Sequence, residues 1–418
     1  MSHAQRFGWL CSIAAAACLA CGIQAEGGAV PFAARGESQP ITGQDLRLRA
    51  TLELAADLGI SPSSTFNPRY FDGDSYVNQI NIGTMGFGRY PAGWPVALLL
   101  VDNSAAGPEH RMVAPFRGAH KAKYLIGSGS GAAGSKTISR YDFDGSNRVD
   151  VTIPFNITVE GFDWVDEDTI IGTSYTSGTR QNLYLFDVVA DPFALTVNTA
   201  WNASGFITTP VTTRIRNVRA GDVYGGYAYF GDAGQATSPN FYALNLATGV
   251  ATLLGDAGPL TGSGSFGLWT VLERGGLLYV QTTDDGIQVY QMTSATTLGA
   301  LAAVYSKADL DLATGASGQY WGLDVSPDGT AMILGASSGQ TFEIGPPRLG
   351  ITDLTGTELT LAWPASVNDV LIQASPSLAP AAFADLEPQP TPWVDGNLNK
   401  ASVTVWGTQG YFRLRNGP

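Results

Sequence analysis

Apolar and polar positions alternate strictly over residues 46–54 (LRLRATLEL), with Leu46, Leu48, Ala50, Leu52 and Leu54 on one face and Arg47, Arg49, Thr51 and Glu53 on the other. A period of two is that of a half-buried strand. Further along, residues 320–345 (YWGLDVSPDGTAMILGASSGQTFEIG) hold three short apolar runs, at 322–325, 331–334 and 341–344. They are divided by Ser326-Pro327-Asp328-Gly329 and by Ser337-Ser338-Gly339. Proline presets one turn torsion and glycine supplies a positive φ, so the chain reverses at both places and the segment predicts an antiparallel meander. A meander of this size cannot bury its own apolar faces. It must be one unit of an array.

Related units precede it. Similar strands recur at 98–102 (LLLVD), 138–143 (ISRYDF), 183–187 (LYLFD), 241–246 (FYALNL), 287–291 (IQVYQ) and 341–344 (TFEI). With Asp102, Asp142, Asp187, Asn245, Gln291 and Glu343 as equivalent third-strand positions, the steps are 40, 45, 58, 46 and 52 residues, about 48 on average. A period of roughly 40 to 50 with three or four short strands per unit is the signature of a β-propeller blade. Units open on runs such as 161–165 (GFDWV), 267–271 (GLWTV) and 322–325 (GLDV), and continue with second runs at 170–173, 227–230 and 277–280. At these positions, over roughly residues 50–346, the sequence resembles the tryptophan-aspartate-repeat and lactonase-type propellers of secreted bacterial proteins. The resemblance lies in the blade pattern and implies fold rather than activity, because no catalytic motif of a propeller enzyme can be matched. The repeat length predicts about six blades, with seven as the alternative. A ring has to close without a bare sheet edge, and the strand at 46–54 is the candidate clasp on the last blade.

Beyond residue 346 the pattern changes. Residues 358–363 (ELTLAW) alternate, 369–374 (DVLIQA) form a β run, prolines crowd the following loops (Pro376, Pro380, Pro388, Pro390, Pro392), and strands at 401–406 and 411–415 end the chain. This predicts a small β-sandwich of fibronectin or immunoglobulin-like type. The stretches LTLAWPAS, LIQASPSL and YFRLR resemble a C-terminal module common in secreted bacterial proteins of unrelated activity, which implies an accessory, surface-attaching role. The expected plan is all-β: a signal peptide at 1–25, a linker at 26–45, a propeller at 46–346 and the sandwich at 347–418.

Composition sharpens this. Only 14% of residues are charged, and 51 Gly and 23 Pro supply turns throughout, which suits an all-β chain and not a helical bundle. Arg6, the apolar run 7–21 and Ile23-Gln24-Ala25 read as a secretory signal cleaved before Glu26. The run falls short of the ~20 apolar residues a membrane span needs. The expectation is an exported protein, extracellular, at the cell surface or periplasmic, with no transmembrane segment after cleavage. All three cysteines (Cys11, Cys18, Cys21) lie in that leader, so the mature chain has no disulfide or thiolate chemistry. Losing Arg6 leaves 22 basic against 36 acidic side chains, a net charge of −14 that argues against nucleic acid as a partner.

Candidate chemistry is sparse. After the leader only His110 and His120 remain, so a His-rich metal site is excluded and a Ser-His-Asp triad would have to recruit one of them. Both are expected at the surface. Gly127, Gly129 and Gly131 sit in a Ser/Gly/Ala stretch that reads as a hairpin loop and not as a phosphate cradle. Asp142, Asp144 and Asn147, and the Asp72-Gly73-Asp74 turn, have the oxygen density that takes calcium, but no closing Glu follows and hairpin turns require the same residues. No other cofactor is implied. Asp166-Glu167-Asp168 and Asp284-Asp285-Gly286 read as hairpin tips. The first strands of a propeller line its channel, and there the sequence offers Asp163, Trp164, Arg214, Arg216, Trp269 and Asp324. Either the charges pair to close the channel, or they form a polar, aromatic-edged pocket suited to a sugar or an anionic glycan. The expected function is that of a monomeric, non-enzymatic protein that recognises an extracellular or envelope polysaccharide or protein. A propeller hydrolase or lyase acting on sugars or lactones through channel carboxylates is the alternative, and a purely structural surface protein is the third reading.

Overall fold

The computed structural model describes residues 40–41, 46–54, 64–71, 74–81, 84–90, 99–102, 112–128, 137–153, 157–176, 180–198, 215–220, 225–232, 239–258, 267–345, 350–355, 357–364, 370–375, 383–395, 398–404 and 411–416. The expected signal peptide, most of the linker, Asp72, His110, Gly129, Gly131 and Arg214 lie outside them.

The chain enters on β1 (Leu48–Leu52). Blade 1 follows as β2 (Ser64–Phe71), β3 (Asp74–Asn81), β4 (Thr84–Tyr90) and β5 (Leu99–Asp102). Blade 2 is β6 (Met112–Pro115), β7 (Tyr124–Ser128), β8 (Thr137–Asp142) and β9 (Val149–Thr152), and blade 3 is β10 (Ile157–Trp164), β11 (Thr169–Thr176), β12 (Arg180–Val189) and β13 (Ala194–Val197). Blade 4 comprises β14 (Ile215–Ala220), β15 (Tyr227–Asp232), β16 (Asn240–Asn245) and β17 (Ala251–Asp256). In blade 5, β18 (Leu268–Arg274), β19 (Leu277–Thr282), β20 (Gly286–Ser294) and β21 (Thr297–Ser306) lead to a short helix, α1 (Lys307–Thr314). Blade 6 has β22 (Tyr320–Val325), β23 (Met332–Ala336) and β24 (Thr341–Ile344) from its own stretch of chain and takes β1 as its fourth strand, in the order β1-β24-β23-β22.

Each blade is an antiparallel meander, and six such four-stranded sheets occur among the described residues. The innermost strands β2, β6, β10, β14, β18 and β22 adjoin in succession, and β22 returns to β2, so the ring closes. The protein is an all-β, six-bladed propeller. At the closing junction β22 approaches β2 so nearly that a Cβ on Gly322, which sits at φ +112°, would lie 2.6 Å from the Asn67 nitrogen. Only glycine fits there.

One strand differs from the sequence expectation. Residues 98–102 were expected as the third strand of a unit, but β5 is the fourth strand of blade 1, and the third is β4. The reason is local: β4 (TMGFGRY) carries two glycines and only scattered apolar residues, whereas LLLVD reads as a buried run. Helix α1 was not expected, although its signals are in the sequence. Ser306 and Asp309 form a reciprocal capping box, and Gly315 ends the helix in the left-handed conformation at φ +68°.

The apolar cores lie between blades. One cluster joins blades 5 and 6 through Leu272, Tyr279, Val289, Leu323, Leu334 and Phe342, with Ile41 from the entering chain. Its tyrosines predict how stability depends on pH. Burial raises Tyr279, Tyr305 and Tyr320 well above the ordinary phenol value of 10.0, and pushes Tyr141 of the cluster between blades 1 and 2 up to about 12. Above about pH 10 the folded chain therefore holds phenol protons that the unfolded chain has released. Stability is constant with respect to these groups below that pH and falls as pH rises beyond it. Denaturant titrations at stepped pH, with tyrosinate absorbance as a second signal, should show the decline begin near pH 10. The Tyr279 hydroxyl is buried with no hydrogen-bond partner, so Tyr279→Phe should be neutral or stabilising by up to about 1 kcal/mol at pH 7 and should lessen the alkaline loss. A Tyr279→Phe protein as alkali-sensitive as the parent would contradict this.

After the ring come β25 (Gly350–Thr355), β26 (Glu358–Pro364), β27 (Val370–Ser375), β28 (Ala384–Asp385), β29 (Trp393–Asp395), β30 (Leu398–Thr404) and β31 (Tyr411–Asn416). They form a four-stranded sheet, β25-β26-β30-β29, and a three-stranded one, β28-β27-β31. Leu359, Leu361, Trp363, Ala401 and Val403 of the first share one apolar cluster with Ile372, Phe412 and Leu414 of the second.

Candidate functional site

Five innermost strands carry a register shift against their neighbour: β2 between Phe66 and Arg69, β10 between Thr158 and Phe162, β14 between Arg216 and Arg219, β18 between Leu268 and Thr270, and β22 between Tyr320 and Leu323. A bulge kinks the strand and re-aims the side chains that follow it. Here those side chains include Arg69, Asp163, Arg219, Arg274 and Asp324, which line a cavity of about 540 Å³ where the inner strands end. Its rim holds Arg117, Gly118 and Lys121 from the single 3-10 turn after β6 and Asp166 and Glu167 from the β10–β11 hairpin. Tyr70, Phe71 and Phe116 supply aromatic lining. Gly118, at φ +57°, lets the Glu167 carboxylate come close, since a Cβ there would collide with it.

On the floor, both oxygens of each of the two carboxylates already have a donor. Asp163 accepts from Arg69 Nη1 (2.5 Å) and the Trp164 amide (2.9 Å) on Oδ1, and from the Ala220 amide (3.1 Å) on Oδ2. Asp324 accepts from the Val325 amide (2.8 Å) on Oδ1 and the Tyr70 amide (2.9 Å) on Oδ2, with Arg274 Nη2 3.5 Å from Oδ1. These two residues tie inner strands of different blades together: Asp163 bridges blades 1, 3 and 4, and Asp324 bridges blades 6, 1 and 5.

Arg219 is different. It is 1% exposed, its Nη2 donates to the Leu323 carbonyl (2.9 Å), and its Nε is buried without a partner. Among the described residues no carboxylate stands within ion-pair distance of it. Burial first, then the neighbouring Arg69 charge, lowers its pKa to about 9, against the opposing pull of Asp324 and Asp163.

Of the six residues nominated from sequence, Asp163 and Asp324 lie on the cavity floor. Arg216 lies on β14 opposite Gly231, upstream of the bulge. Trp164 and Trp269 do not line the cavity: both are packed between blades. The Trp164 indole donates to the Pro115 carbonyl (3.1 Å) and packs on Phe116, while that of Trp269 donates to Asn67 Oδ1 (3.0 Å) and its ring stacks on Trp321 where β18 and β22 begin. Arg69, Arg219 and Arg274 were not nominated.

The remaining candidates are turn chemistry. Asn147 Nδ2 donates to Asp142 Oδ2 (2.6 Å), and the Ser146 hydroxyl (2.6 Å) and amide (2.9 Å) donate to Asp144 Oδ1, which holds the Asp144 carboxyl below its usual range. Among the described residues no three His, Cys, Asp or Glu side chains are arranged to hold a metal. His120 is at the surface, half-buried and stacked on Tyr124; Arg140 covers the same Tyr124 ring, 4.2 Å from its centroid.

No family model and no curated protein matches the chain. Among solved structures it is similar to the WD40 domain of Pan2 from Neurospora crassa (TM-score 0.43, 10% identity, 74% of this chain and 98% of that one). It is also similar to the Dos1 propeller (0.41, 8%, 67% and 68%) and to the computationally designed protein Ika8 (0.39, 9%, 72% and 99%). Among the described residues no helix is long and apolar enough to cross a membrane.

Proposed function

We propose that this chain is an exported, non-enzymatic recognition protein that takes a glycan or protein ligand into the cavity at the mouth of the propeller channel. The observation that carries this reading is the cavity itself: about 540 Å³, aromatic-edged, and lined by both signs of charge at the convergence of six blades. Sites for small ligands occupy roughly 300 to 1,000 Å³ and combine apolar walls with a few placed polar groups. Recognition is favoured over acid–base chemistry because every oxygen of Asp163 and Asp324 already accepts a hydrogen bond. The two C-terminal sheets act as a fibronectin-like attachment or spacing module outside the site.

The test is thermal unfolding of residues 26–418 against a panel of neutral and charged oligosaccharides and peptides, with and without calcium. A ligand at 100 times its Kd adds about 2.7 kcal/mol to stability. At least one compound should raise the Tm, and Lys121→Ala, an exposed rim change, should reduce that shift while leaving the unliganded Tm in place. A panel without effect, or a shift that Lys121→Ala and Arg117→Ala both leave intact, would point to a structural role for the channel charges.

A further inference from the structure

The cavity floor carries one more positive charge than negative. Arg69, Arg219 and Arg274 converge there with only Asp163 and Asp324. Asp163 is paired with Arg69 and Asp324 with Arg274, so the third cation, Arg219, is the one without a carboxylate. A buried cation is costly unless an anion accompanies it, and here the carboxylates already present are occupied. Each of the two floor carboxylates has its own arginine, which leaves Arg219 for an anion from outside the chain.

Resting on the recognition function proposed above, we infer that the ligand is a carboxylated saccharide whose carboxylate pairs with Arg219. Arginine suits this role because its planar fork meets both oxygens of a carboxylate at once. A single negative charge matches the single excess positive charge. The space is far larger than an inorganic ion requires and fits one or two sugar rings. Phe71, the partly exposed aromatic residue of the lining, offers an apolar edge to the C–H side of a ring, and the rim carboxylates of Asp166 and Glu167 can accept from its hydroxyls. Arg117 and Lys121 on the same rim balance those two carboxylates, so the excess charge of the site stays at one, which a sugar bearing one carboxylate per residue neutralises.

Calorimetric titration of residues 26–418 with D-glucuronate, its methyl ester, D-glucose and a glucuronate-containing oligosaccharide, at fixed ionic strength, tests the inference. Glucuronate or the oligosaccharide should bind at least 10-fold more tightly than the ester and glucose, and Arg219→Met should weaken that binding 10- to 100-fold. Binding of the oligosaccharide alone assigns a polymer as the source, and binding of the monomer assigns a free or terminal sugar acid; both support the inference. Arg219→Lys, which keeps the charge and loses the fork, should bind with an intermediate loss and serves as the second variant should Arg219→Met fail to fold. Equal binding of acid, ester and glucose would overturn the carboxylate while leaving the recognition function standing. Binding of the acid undiminished by either Arg219 substitution, or no binding of any saccharide, would also overturn it.

Discussion

A chain that begins after Leu52 should lose about 5 kcal/mol or more of unfolding free energy, a large part of the 5–15 kcal/mol that stabilises a typical domain. β1 covers β24 along its length, in the register Leu48 with Ile344, Ala50 with Glu343 and Leu52 with Thr341. Ala50 and Leu52 are buried against Tyr70, Val77, Ala331 and Ile333, and removing one such leucine side chain alone costs about 2 to 5 kcal/mol. Arg49 goes with the strand. Its guanidinium donates to the Thr330 carbonyl (3.1 Å) and stands 3.5 Å from Glu343 Oε1, which also accepts from Tyr70 Oη (3.3 Å), so the deletion takes from a 2%-exposed carboxylate its cationic partner. It also bares the edge of β24, which invites association between chains. Denaturant unfolding of the truncated protein should show a lower midpoint and a broadened transition, with concentration-dependent aggregation. A midpoint equal to that of the full chain would mean that β1 does not hold the ring closed.

Asp163→Ala should be the most damaging single substitution at the site, at about 3 to 5 kcal/mol, because it leaves Arg69 buried without its carboxylate and removes the acceptor of the Trp164 and Ala220 amides. Arg219 would then have one compensating charge fewer nearby. Combined with Arg69→Met, the loss should be smaller than the sum of the two single losses by about 1 to 3 kcal/mol, since no isolated charge is left behind. Additive losses would show that the two side chains do not act as a pair. Ligand titration separates this effect from binding: Asp163→Ala should lower stability in buffer alone, whereas the rim changes act only when ligand is present.

How much of this was legible in the sequence differs from element to element. The clasp strand could be read from LRLRATLEL because alternation reports a local property, the pleat of a strand, although Arg49 on its polar face is also buried, against Glu343; the meander at 320–345 with its Ser-Pro-Asp-Gly turn was local in the same way. The third strands at 138–143, 183–187, 241–246, 287–291 and 341–344 were legible for the same reason, and with 98–102 they set a period of about 48 residues and an expectation of about six blades, with seven as the alternative. The slip at 98–102 came where β4 is too glycine-rich to show a pattern. Asp163 and Asp324 were found because an acidic residue in an apolar first strand is conspicuous.

Arg219 was missed, and the reason is physical. Alternation carried along β14 from Arg214 and Arg216 puts Val218 next on the same face and Arg219 on the opposite one. The bulge between Arg216 and Arg219 breaks that count, because three residues on β14 span what two span on β15: Arg216 faces Gly231 and Arg219 faces Tyr229. A shift of one residue exchanges the two faces of a strand. The same device in β2 brings Arg69 to the channel mouth. The bulged segments of β2 and β22 meet where Gly322 lies against Asn67, two residues separated by most of the chain. The sequence by itself therefore determined the clasp strand, most of the third strands and the repeat that makes a propeller, all of which depend on neighbours a few residues apart. Only the tertiary structure decided which arginines share the channel floor, because that depends on register shifts set by non-local packing.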